Sequence, residues 1–191
     1  MHTHPNIQAV VVSKSEMMQY HDPERIQGYC RTCDKYGTYW SCPPFEEMPF
    51  LGLDEWTDAV IVTHKVRIDP ALSKDEVIDL FQRSRQDLGE MMMRCETGGV
   101  LTVIAGHCFG CSTCTRTREK PCGVPARMRF SLEALGFDVT GLAEGLAGQA
   151  IHWPAGGMPD YLTIVGALLC ATRDLATGRA DILKGEALRL G

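Results

Sequence analysis

Apolar positions along the chain come in short runs separated by polar, glycine-rich stretches. Residues 7–12 are a nearly continuous apolar run of strand length, and residues 59–68 are a second, β-branched one. Residues 100–105 and 161–170 read as two further strands, the latter holding the longest apolar run, 164–171. Between them the period changes. Val77, Phe81, Leu88 and Met92 recur at helical spacing, and Ser73 with Glu76 has the spacing of a capping box, which predicts a helix from 73 to about 94. Gly98 and Gly99 end that region. Pro125 suits the first turn of another helix, with Met128, Leu132 and Leu135 as its stripe and Gly136 as its stop. A weaker helix over 142–150 is interrupted by Gly145 and Gly148. The polar tail, 172–191, reads as a marginal helix. Two stretches, 22–57 and 108–124, have no period. They are rich in glycine, proline, cysteine and aromatic residues, and loops this long in a compact domain are usually functional.

The pattern predicts an α+β fold in a single domain over 1–191. It has a four-stranded mixed sheet, about three helices and two long Cys-bearing loops. The core covers about 6–170, with 171–191 as a C-terminal extension. Neither a solenoid repeat nor a low-complexity tract is present.

Composition changes this picture at one point. The chain has 191 residues, a formal net charge of −5, 45% apolar and 23% charged residues, all ordinary for a globular domain. A chain this long buries enough surface to fold without staples. Nine cysteines are therefore the anomaly. No secretory leader opens the sequence and no run approaches the ~18 apolar residues of a membrane span. A cytoplasmic location is expected, where clustered thiols mean metal or redox chemistry more often than disulfides.

Seven of the nine fall in two clusters. Cys108, Cys111 and Cys114 stand at successive three-residue spacing, and Cys122 follows between Pro121 and Pro125. Three thiolates on one short loop can point at a common centre and take three corners of a cubane cluster, with Cys122 as the fourth. A single zinc more often takes Cys-x-x-Cys pairs from two loops, so zinc is the alternative metal. The second cluster is Cys30, Cys33 and Cys42, the last followed by Pro43 and Pro44; Tyr36, Tyr39 and Trp40 could wall solvent from it. This trio is one ligand short of a four-Cys site. Candidates for the missing ligand are His107, His64, Cys95 and Cys170, although the last two end apolar elements and read as core thiols. His2, His4, His21 and His152 lack metal spacing and read as surface residues. Met91, Met92 and Met93 read as core packing.

Between Cys108 and Arg129 lie five cations (Arg116, Arg118, Lys120, Arg127, Arg129) against one anion, Glu119. Such charge offsets the negative charge of a thiolate-bound cluster. Nucleic acid is not expected as a partner for a chain with pI near 5.7. Walker, dinucleotide, nucleophile-elbow and His-Glu-x-x-His motifs are absent, as is the three-cysteine spacing of radical enzymes.

The joint pattern is Cys30-x-x-Cys33-x-x-Tyr36-Gly37-x-x-Trp40-x-Cys42-Pro43-Pro44, Cys108-x-x-Cys111-x-x-Cys114, Pro121-Cys122-x-x-Pro125 and Arg129-x-Ser131-x-Glu133-Ala134-x-Gly136-x-Asp138-Val139. It resembles a family of predicted metal-binding proteins with a domain of unknown function, found mainly in anaerobic bacteria and archaea, over about residues 6–170. The resemblance implies iron–sulfur binding through the seven matching cysteines and no particular reaction. One departure is Gly123, where the family is associated with a basic residue. The expected role is that of a 4Fe–4S protein in electron transfer or redox partnering in anaerobic metabolism, docking an acidic partner on the segment 116–120. An enzyme with an open iron corner and a structural zinc protein are the alternatives.

Overall fold

The structure, a computed structural model, describes residues 6–46, 56–152 and 158–189. Its element order is β1 (Asn6–Ser13), α1 (Lys14–Met18), α2 (Pro23–Cys30), β2 (Asp58–Arg67), α3 (Lys74–Arg94), β3 (Val100–Val103), α4 (Val139–Gly141), β4 (Tyr161–Cys170) and α5 (Arg173–Arg189). The strands form one sheet in the order β1-β2-β4-β3. The α+β single domain with four strands is as expected, but all three ladders run antiparallel where a mixed sheet was expected. Among the described residues no helix is long and apolar enough to cross a membrane. His2 and His4 lie outside the described residues.

Side-chain alternation splits the sheet into two covered faces. Val60, Val62, Ile164 and Leu168 pack under Leu88, Met91 and Met92 of α3 and Ala176, Ala180 and Leu183 of α5. Their neighbours Ala59, Ile61, Val165, Ala167 and Leu169 face Met17 of α1 together with Leu132, Leu135, Phe137 and Leu142. Both faces being buried explains why β2 and β4 read as near-continuous apolar runs. Cys95 and Cys170 lie inside the first core.

The capping box at Ser73 and Glu76 starts α3 as predicted. Three other expectations change. The period-free stretch from 22 contains α2, capped by the Asp22 side chain with Pro23 at its first turn. The helix expected from Pro125 is a single 3-10 turn, Pro125–Arg127. Beyond it, Phe130 O accepts from Ile104 N at 2.9 Å and Ser131 bridges to Ile104, so this backbone extends the sheet edge rather than coiling. The helix expected over 142–150 is a π turn, Leu142–Leu146, continuing α4.

Gly136, at φ 85°, reverses the chain after Leu135, and a Cβ there would meet Pro23 at 2.7 Å. That close approach seats α2 against residues 131–138. Asp22 N donates to Gly136 O at 2.9 Å, and Arg25 pairs with Asp138 at 2.8 Å. His21, read as a surface residue, is half-buried in this seam, packed at a tilt against Phe137 and bonded through Nε2 to Leu135 O at 3.0 Å.

Candidate metal centres

All nine cysteines are free thiols. The loop after β3 carries four of them to one place. Cys108, Cys111, Cys114 and Cys122 line a void of about 10 Å³ together with Tyr39, Trp40, Ser41 and Met128. The return of Cys122 is local: Thr115 Oγ1 donates to Pro121 O at 2.7 Å, and Glu119 turns the chain at φ 53°. Gly89 on α3 leaves room for the Phe109 ring, which a Cβ would meet at 2.6 Å, so the loop lies flat on the helix. The sulfurs accept from backbone donors: Gly110 N to Cys108 Sγ at 3.3 Å and Trp40 N to Cys114 Sγ at 3.4 Å.

Trp40, with Tyr39 and Ser41, therefore walls the four-Cys site, although Cys33 and Cys42 on either side of this strip belong to the trio. Its indole N–H donates to Lys120 O at 3.0 Å, and Ser41 Oγ accepts from Cys108 N at 3.0 Å. Arg116 fastens the two loops by donating to the carbonyls of Tyr39, Cys42 and Pro44. It is turned inward, Arg127 is exposed but pairs with Glu90, and Arg129 pairs with Glu96, so among the described residues Arg118 and Lys120 are the exposed cations of the basic stretch without an ion pair.

Cys30, Cys33 and Cys42 line a different and larger cavity of about 780 Å³, with Tyr29, Lys35, Tyr36, His107 and Glu133 among its walls. Cys30 ends α2 and its Sγ lies 3.9 Å from Glu133 O. Gly37 N to Pro43 O at 2.7 Å closes the loop, and Lys35 N donates to Cys33 Sγ at 3.5 Å. Burial pushes the Cys42 thiol up to about 11 and raises Cys30 as well, with the Glu133 charge adding to the latter. At Cys111 desolvation and then repulsion from Cys108, Cys122 and Cys114 act in the same direction. Thiolates so penalised need a cation, and a metal supplies one while displacing their protons.

Of the proposed extra ligands, Cys95 and Cys170 are core residues, and His64 sits on β2 with no cysteine near it in either site. His107 does face the trio. However, Arg85 Nη2 donates to its Nε2 at 2.9 Å, which leaves the ring proton on Nδ1. Burial, then the Arg85 charge, pushes His107 down to about 4, so it is neutral.

Arg85 itself was missed by sequence reasoning. It is 4% exposed and its hydrogen-bond partners, Gln82, the carbonyls of Ala105 and His107, and His107 Nε2, are all neutral. Burial pushes it down, while Tyr39, Cys108 and Cys42 pull it up, so this cation stands between the two sets of thiols. Its signal was present: position 85 falls on the α3 apolar stripe, four after Phe81 and three before Leu88.

The donor set suits a metal group in both places. Among the described residues no three His, Cys, Asp or Glu side chains draw together tightly enough for a bare ion. A tetrahedral zinc would hold four sulfurs about 2.3 Å from one point and leave no void. Here the four cysteines share the walls of one water-sized void. In comparison with known families, residues 16–170 match the model of a family described as predicted metal-binding protein (DUF2284). No curated protein and no solved structure matches the chain.

Proposed function

The chain belongs to this family of predicted metal-binding proteins, and from that premise we propose that it is an iron–sulfur protein that moves single electrons. Cys108, Cys111, Cys114 and Cys122 hold a 4Fe–4S cluster, and Cys30, Cys33 and Cys42 hold a second centre beside it. The observation that carries this reading is the convergence of four cysteines on one small void, with backbone N–H groups aimed at two of their sulfurs. Hydrogen bonds to sulfur and nearby cations are what tune the potential of such a cluster. The role is redox partnering in anaerobic metabolism. Arg118 and Lys120, exposed before Cys122, would meet an acidic partner.

A second reading is favoured by the cavity over the trio. Its size lies within the range of small-molecule sites, about 300–1,000 Å³, and the trio lacks a fourth cysteine. In that reading the second centre is a Lewis acid that binds a small substrate, and the four-Cys cluster feeds it electrons.

Anaerobic purification with metal and acid-labile sulfide analysis tests the proposal. Iron and sulfide in equal amounts are expected, and Cys111→Ser should remove the four-Cys share. Cys95→Ala and Cys170→Ala should leave the metal content unchanged. Zinc without sulfide would overturn the iron–sulfur reading in favour of a structural zinc protein. A cluster signal perturbed by small ligands would favour the enzyme.

A further inference from the structure

Glu133 is a half-buried acid with no ion pair among the described residues. Its carboxylate Oε2 is enclosed and has no hydrogen-bond partner. The side chain stands in the wall shared by two cavities, the one holding Cys30, Cys33 and Cys42 and a more apolar one of about 640 Å³ under Phe81, Ile151 and Leu162. The cationic side chains lining the trio's cavity are engaged elsewhere: Arg25 with Asp22 and Asp138, Lys35 with Asp34. Enclosure disfavours the charged form of this carboxyl, and a cation beside it would restore that form.

The backbone holds Glu133 firmly. Leu132 and Leu135 on either side are buried at 0% and 4% exposure, Ser131 is bridged to Ile104, and Gly136 turns the chain under α2. The same seam delivers Cys30, whose Sγ touches Glu133 O. Of the residues lining this cavity, His107 has Nε2 committed to Arg85, whereas Glu133 keeps an enclosed Oε2 without a hydrogen-bond partner.

We propose that Glu133 is the fourth protein ligand of the second centre, its carboxylate oxygen completing the set Cys30, Cys33 and Cys42. This rests on the reading of that trio as a metal site. A carboxylate is a harder and more readily exchanged ligand than a thiolate. It would make this corner the one that opens toward the cavity, and the four-Cys centre the one that stays closed.

The test compares wild type with Glu133→Gln and Glu133→Asp, purified anaerobically, by metal and sulfide content and by EPR. Glu133→Gln keeps the shape and removes the anion. It is expected to lose the second centre while the signal of the four-Cys centre persists, which also shows that the chain is folded. Glu133→Asp, which keeps the charge on a shorter arm, is expected to recover part of the lost metal. Unchanged metal content and EPR in Glu133→Gln overturn the proposal, as do equal losses in the Gln and Asp variants. Should the wild type hold zinc without sulfide, the iron–sulfur reading falls by itself. The ligand assignment is then read from the zinc: loss of one ion in Glu133→Gln supports it and retention overturns it.

Discussion

Arg85 occupies a position that helical periodicity gives to the core, and it brings a full positive charge there with no anion bonded to it. A buried cation near a thiolate-bound cluster stabilises the reduced, more negative state. Arg85→Gln should therefore lower the midpoint potential, on the order of 60 mV for each tenfold change in a one-electron equilibrium. Potentiometric EPR measures this, and unchanged potentials would deny Arg85 the role. The contrast with the cysteines shows what a sequence reveals at this scale. Cys108, Cys111 and Cys114 share one short loop, so their spacing alone places them together. Arg85 and Glu133 acquire meaning only from segments far away in the chain, the Cys loops for one and α2 for the other. Trp40 shows the same limit in reverse, since it was legible as a wall residue but belongs to the other cluster's site.

The elements were legible where local pattern and tertiary pairing agree. β4 spans Tyr161–Cys170 as its apolar run indicates, and the capping box fixes the start of α3. The helix expected after Pro125 fails because the sheet edge claims Phe130 and Ser131, a competition invisible to helical periodicity. Two predictions belong here. Gly89→Ala adds about 1 kcal/mol of helix propensity but drives a methyl into the Phe109 ring, an overpacking cost of roughly 1–3 kcal/mol. The metal-free melt should change little, whereas metal uptake by the four-Cys loop should fall, as titration would show. The second concerns Glu96, at the end of α3, and Arg129 beyond the Cys loop. Burial alone would raise Glu96, yet Arg129 and the Thr102 N–H hold it below its ordinary 4.5. The contribution of this pair is complete above pH 4.5 and is lost as pH falls through the lower folded value. Glu96→Gln should flatten that acid limb of the stability curve and cost roughly 2 kcal/mol at neutral pH, because the half-buried Arg129 is left without its anion.

At the scale of the molecule, the family match ends at residue 170, but the packing does not. Helix α5 lies on β1 and β2, and Ala176, Ala180 and Leu183 are fully buried there. Its stripe is narrow and mostly alanine, which makes the helix look marginal in sequence and lets it sit close to the sheet. Leu183→Ala should cost about 3 kcal/mol, read from the denaturant midpoint. A shift no larger than that of a surface substitution, within about 0.5 kcal/mol, would show that the tail does not support the sheet. The interlocking of the two loops reaches further, into biogenesis. The strip from Tyr39 to Ser41 that shuts the four-Cys hollow is strung between Cys33 and Cys42, and Arg116 latches it down. On the proposed reading the two centres are therefore coupled in assembly, because loss of metal at the trio would free one wall of the four-Cys void.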